Sequence, residues 1–244
     1  TATQTVTTNA LSAATLAIDS GILATGAAGA GVTNALTLLR GNGSLTLGAG
    51  TVTLNGGLTL SGSTVTGGAG TLDINGALTI STGSLIAPSG LLYVSGDWSK
   101  YGGSFFGNGG TVILDSTSAQ TLTGSTTFGN LTATGSRTLT FAAGTTQTIT
   151  GTLRLQGASL AALLTLRSSQ TGTQWKLDPQ STRTVQYLDV KDSNNTNATA
   201  IPTTGLNVTN SGNNTNWTFI LTTTGALTSS LNPATYGSLL LLTA

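Results

Sequence analysis

The chain has 244 residues, with eight Lys or Arg, seven Asp, no Glu, no His, no Cys, no Met and a formal net charge of +1. Without imidazole, thiol or thioether, a Ser/His/Asp triad, a Cys nucleophile, a His- or Cys-ligated zinc and a His, Cys or Met haem ligand are impossible within one chain. The cations are scattered singly, so no nucleic-acid partner is expected, and no apolar run reaches the roughly 20 residues that span a bilayer as a helix.

The chain opens Thr1-Ala2-Thr3-Gln4, with neither an initiator Met nor a charged leader, and reads as a mature secreted chain whose signal segment has been removed. An extracellular or cell-surface location is expected. Residues 1–30 form an N-terminal strand or cap segment in this reading. Within it, the alternation of Thr, Gln and Val from Thr3 to Thr8 suits a strand that pairs with a neighbour, which singles out Thr5 and Val6.

About a fifth of the residues are Thr, 34 are Gly, and charged residues make up 6%. Disordered chains are typically rich in charge and Pro, whereas Thr, Val, Leu and Ile favour strands, so residues 31–219 read as ordered and all-β. Short apolar-Thr-apolar units start at Leu45, Val52, Leu58, Val65, Leu72, Leu78, Leu85 and Leu91. Each is followed by a Gly, Asn-Gly or Ser-Gly turn. Every third unit recurs at about 20 residues: Leu45, Val65, Leu85; Val52, Leu72, Leu91; Leu58, Leu78, Trp98. Three strands per 20-residue turn predict a parallel β-helix, a β-solenoid with apolar side chains inside and Thr outside. Antiparallel hairpins also use Asn-Gly turns, but a meander has no reason to repeat at every third strand.

Within the repeat, few residues carry chemistry. Asp73, Asp97 and Asp115 stand alone in a Thr/Gly background, so an acid/base carboxylate pair is not expected, and the chain does not read as an enzyme. Asp97 beside Trp98, with Tyr101, Phe105 and Phe106, suits either a sugar-stacking surface or a solenoid corner. Asp189, Asp192 and Asn194 have the oxygens and spacing for Ca²⁺ in a loop, and are equally ordinary turn formers. Sequons begin at Asn42, Asn130, Asn194, Asn197, Asn207, Asn213 and Asn216, candidates for glycosylation in a secreted chain. No cofactor is expected, and no metal site is assigned.

Taken in order, Ser95-Gly96-Asp97-Trp98, Gly109-Gly110-Thr111-Val112-Ile113-Leu114 and the run Ala119 to Thr132 resemble repeats of large secreted bacterial surface proteins with filamentous-haemagglutinin-like, adhesin-like β-helical regions. Thr184 to Asp192, followed by Ser211-Gly212-Asn213-Asn214-Thr215-Asn216-Trp217, looks like the closing segment of such a module. The resemblance covers about Leu91 to Phe219 and implies a surface-exposed β-helix.

Residues 220–244 read as a Thr-rich linker and an apolar strand. Leu227 to Gly237 is similar to the opening strand of bacterial Ig-like repeats, and a lone strand of that kind cannot bury its own apolar face. Tyr236, Leu239, Leu240, Leu241 and Leu242 are therefore expected to pair with another molecule. The sequence thus predicts an extracellular structural subunit that assembles head to tail by strand addition into a filament or surface fibre, its partner being another copy of itself. The alternative is a carbohydrate-binding adhesin module of a longer surface protein, with a cell-surface or matrix polysaccharide as partner.

Overall fold

The computed structural model describes residues 3–6, 11–13, 16–25, 32–34 and 37–219. The described residues contain 31 strands and no helix, and every strand pairing is parallel. They form a β-solenoid of about nine turns, roughly 20 residues per turn.

Three faces recur in each turn. The first carries Thr3–Val6, Ile22–Thr25, Ser44–Thr46, Thr64–Thr66, Ser84–Ile86 and Ser104–Phe106, and is continued by Thr126–Phe128, Thr146–Ile149, Trp175–Pro179 and Ser193–Asn195. The second carries a seven-stranded ladder from Thr51–Leu54 to Arg183–Gln186. The third is an unbroken ladder of ten strands from Leu16–Ile18 to Val208–Asn210. The ladder of the first face already includes Thr3–Val6, so the solenoid begins well ahead of residue 31.

The register follows from strand alternation: one side chain in two faces inward, so a 20-residue period places like residues on one another. Val65 lies beside Leu45 and Leu85, and Leu78 beside Leu58 and Trp98, as the spacing predicts. On the second face the partner of Leu72 is Leu92. Leu91 pairs with Thr71 and faces out, one residue from the inward position that the spacing suggested. Leu45, Val52, Leu54, Leu58, Leu60, Val65, Leu72, Ile74 and Leu78 are buried, each burial contributing about 1.5–3 kcal/mol.

Glycine at the corners lets successive turns stack. A Cβ on Gly70 would run into the carbonyl oxygen of Gly50 one turn below. Gly83 combines a similar approach to Ser63 with a φ of +88°, a conformation L side chains rarely adopt.

Several rungs depart from the 20-residue period, and two of these departures bear on a corner. Trp98 pairs with Leu122 instead of a residue 20 positions on, because residues 115–119 bulge from the corner. Below that bulge the buried Gln120 donates from Nε2 to the carbonyls of Val94 (2.9 Å) and Gly96 (2.5 Å), tying the corner to the turn beneath it. The second irregularity is the 30-residue separation of the partners Gln147 and Leu177, which accommodates a small excursion around Ser159 and Ala162 that exposes Leu160.

Candidate functional site

The aromatic residues divide by face. Trp98 and Phe105 point into the core, where Trp98 meets Phe105 edge-on at 4.9 Å and Phe128 at 5.0 Å, and its Nε1 donates to Thr126 Oγ1 at 3.2 Å. They therefore form no sugar-stacking surface: the Leu58–Leu78–Trp98 column is an inward one, so the indole fills the solenoid interior. Tyr101 (71% exposed) and Phe106 (54%) do face solvent, on either side of the corner that leads into the first face. Asp97 accepts the backbone N–H of Thr121 at 2.7 Å and so pins the far side of the 115–119 bulge.

Asp189, Asp192 and Asn194 do not converge. Asp189 lies on the third face, ion-paired with Arg167 and accepting the Ser211 hydroxyl. Asp192 is buried at the corner with φ +55° and accepts from Asn213 Nδ2 at 2.7 Å. Asn194 belongs to the first face, where it pairs with Lys176 and bridges to Thr215. Each of the two carboxylates already has a protein donor. Among the described residues, no group of three Asp stands together as a metal site would require.

The sequons also differ in their surroundings. Asn42 and Asn207 are exposed. The Nδ2 of Asn130 donates to the carbonyls of Gly109 and Gly110, that of Asn197 to Asp178, that of Asn213 to Asp192, and that of Asn216 to the carbonyls of Asn195 and Asn197. These four amides tie turn to turn. Asn194 is half-buried on its strand. Of the residues expected to pair between molecules, Thr5 and Val6 lie in the first rung of the chain's own ladder, beside Ala24 and Thr25. Tyr236, Leu239, Leu240, Leu241 and Leu242 lie outside the described residues.

A constellation the sequence reading kept apart comes together on the second face. Its outward rows are built from alternate residues of Thr51–Leu54, Thr71–Ile74, Leu91–Val94 and Thr111–Leu114, so Asp73 sits between Thr53 and Tyr93 on adjacent rungs. Asp115, just past the end of its strand, comes over Ser95, whose hydroxyl donates to it at 2.9 Å. Thr51, Thr71, Asp73, Asn75, Leu91, Tyr93 and Asp115 line a shallow groove of about 410 Å³.

Burial, and then the nearby charge of Asp115, raise the Asp73 carboxyl above its ordinary value, while the Thr53 hydroxyl, 3.4 Å away, opposes that shift. Beside the groove, Asn75 Nδ2 donates to Asn55 Oδ1 at 2.9 Å and fixes the Asn75 amide. No Lys or Arg lines it. The groove thus offers carboxylate acceptors, an anchored amide and two apolar side chains on a rigid ladder.

A second depression, at the far end of the solenoid, is lined by Leu160, Thr203, Gly205, Asn207, Val208, Thr209, Asn210 and Phe219 and holds no charged group. Compared with known proteins, the chain matches no family model, no curated protein and no solved structure.

Proposed function

We propose that the chain is an extracellular structural subunit that assembles head to tail, by β-strand addition, into a filament or surface fibre. The observation that supports this reading best is the first rung. Thr3–Val6 pairs along one edge with Ile22–Thr25, and among the described residues no strand covers its other edge. An open strand edge exposes backbone donors and acceptors in a row and is a template for another strand. Joining one end of a solenoid to the other end of the next copy is a heterologous contact. Unless the rotation closes a ring, it propagates as a fibre.

The composition suits that role. With eight cations, seven anions and 6% charged residues, stacked copies repel one another little. Rigidity comes from the parallel ladders, and no catalytic step belongs to the function.

Sedimentation velocity over a range of concentrations tests the proposal, using the full chain and the single variants Thr5→Pro and Val6→Pro. Adjacent residues of a strand direct their N–H groups to opposite edges, so one of the two prolines removes a donor from the open edge and the other from the pairing with Ile22–Thr25. The full chain is expected to grow in size with concentration, and one of the two variants to remain monomeric. A full chain that stays monomeric throughout would refute the assembly.

A further inference from the structure

The groove on the second face has the chemistry of a receptor rather than of a bare scaffold. Its volume of about 410 Å³ falls in the range of small-molecule sites, roughly 300–1,000 Å³. Its lining mixes an aromatic ring and a leucine with two carboxylates, an amide and two threonine hydroxyls. Leu91 breaks a row that carries Thr51, Thr71 and Thr111, and Tyr93 stands in the row of Thr53 and Asp73, with the outward Ile113 on its other side. On a solvent-facing strand surface Thr already satisfies the fold, so the adjacent Leu and Tyr create an apolar step with no structural need for it.

The occupant follows from complementarity. Two carboxylates in one groove, with no cation among the lining residues though the Arg137 guanidinium lies within electrostatic reach of Asp115, disfavour uronates, sulfates and phosphates. They accept hydrogen bonds, so the ligand must be rich in donors. A bare divalent ion fits poorly: no third Asp joins the pair among the described residues, and an ion has no use for Tyr93 and Leu91. A chain of neutral sugar rings presents hydroxyl donors at its edges and C–H faces that lie against a tyrosine ring.

We propose that the groove bounded by Asp73, Tyr93 and Asp115 binds a neutral, hydroxyl-rich polysaccharide strand. Tyr93 and Leu91 form the floor, the two carboxylates accept sugar hydroxyls, and Asn75, held by Asn55, is positioned to share in the hydrogen bonding. The raised pKa of Asp73, caused by burial and then by Asp115, agrees with two carboxylates sharing this groove. Occupancy of this face requires neither end of the solenoid, so binding and fibre assembly are separate properties.

Affinity electrophoresis of the full chain tests the proposal, in gels containing a neutral glucan, a neutral mannan or a neutral galactan, with chitosan and polygalacturonate gels alongside. Each is run with calcium and with a chelator. The native protein is expected to be retarded in at least one neutral gel, with or without calcium, and not by polygalacturonate. Tyr93→Ala and the double variant Asp73→Asn/Asp115→Asn are expected to weaken that retention about tenfold, while Tyr101→Ala leaves it unchanged. Circular dichroism of each variant verifies that the fold is intact. No retention in any neutral gel, retention confined to chitosan or polygalacturonate, a requirement for calcium, or retention indifferent to Tyr93→Ala would each overturn it.

Discussion

Asp73 carries a stability cost that can be read by pH. Its carboxyl is raised above the ordinary value of 3.8, first by burial and then by Asp115, so between that value and its raised folded-state value the folded chain holds more proton than the unfolded one. Stability therefore falls as pH rises through this window, and the penalty is complete above it. Asp73→Asn removes the charge and leaves an oxygen for Thr53. The variant is expected to melt above the parent at pH 7 and to converge with it at pH 3, as thermal unfolding at the two pH values would show. Arg137 illustrates the contrasting case. Burial lowers its guanidinium pKa, yet it donates to the carbonyls of Thr134 and Leu114 and so fastens a corner.

At the scale of the element, a strand's contribution is decided by which of its side chains face inward. Trp98 is fully buried against Phe105 and Phe128, whereas Tyr101, three residues later, is exposed. Trp98→Ala is expected to cost about 3–5 kcal/mol and Tyr101→Ala within about 0.5 kcal/mol, measured by urea denaturation. The same distinction explains what was legible in the sequence. Thr-apolar alternation with a 20-residue recurrence specified the three faces and the Leu58–Leu78–Trp98 column, because period and burial are one property in a solenoid. It misplaced Leu91 by one residue, since Leu91-Leu92-Tyr93-Val94 has two adjacent leucines and alternation alone does not say which faces in.

The groove was harder to see. Asp73 and Asp115 are two turns apart and looked isolated along the chain. Adding 20 to Asp73 reaches Tyr93, and adding 20 to Ser95 reaches Asp115, so the period itself contained the juxtaposition. Sequence neighbours are the wrong neighbours in a fold where contact runs from turn to turn. The aromatic cluster failed as a surface for the converse reason: Trp98 belongs to an inward column, and only the register reveals it.

At the scale of the whole molecule, stability is nearly a sum over turns, each touching only the next. Deleting residues 71–90 removes one complete turn and brings Thr51–Leu54 beside Leu91–Val94 with every inward column intact. That variant is expected to keep the parent's circular dichroism spectrum and cooperative unfolding, whereas deletion of residues 71–80 alone shifts the three faces out of phase and abolishes both. A repeating body of this kind, whose first described rung is paired along one edge among the described residues, is the basis of the assembly proposed above. Negative-stain electron microscopy of the purified full chain beside a form ending at Thr224 tests that assembly most directly. The account predicts regular unbranched fibres from the full chain and single short rods from the shortened one; monodisperse rods from both would contradict it.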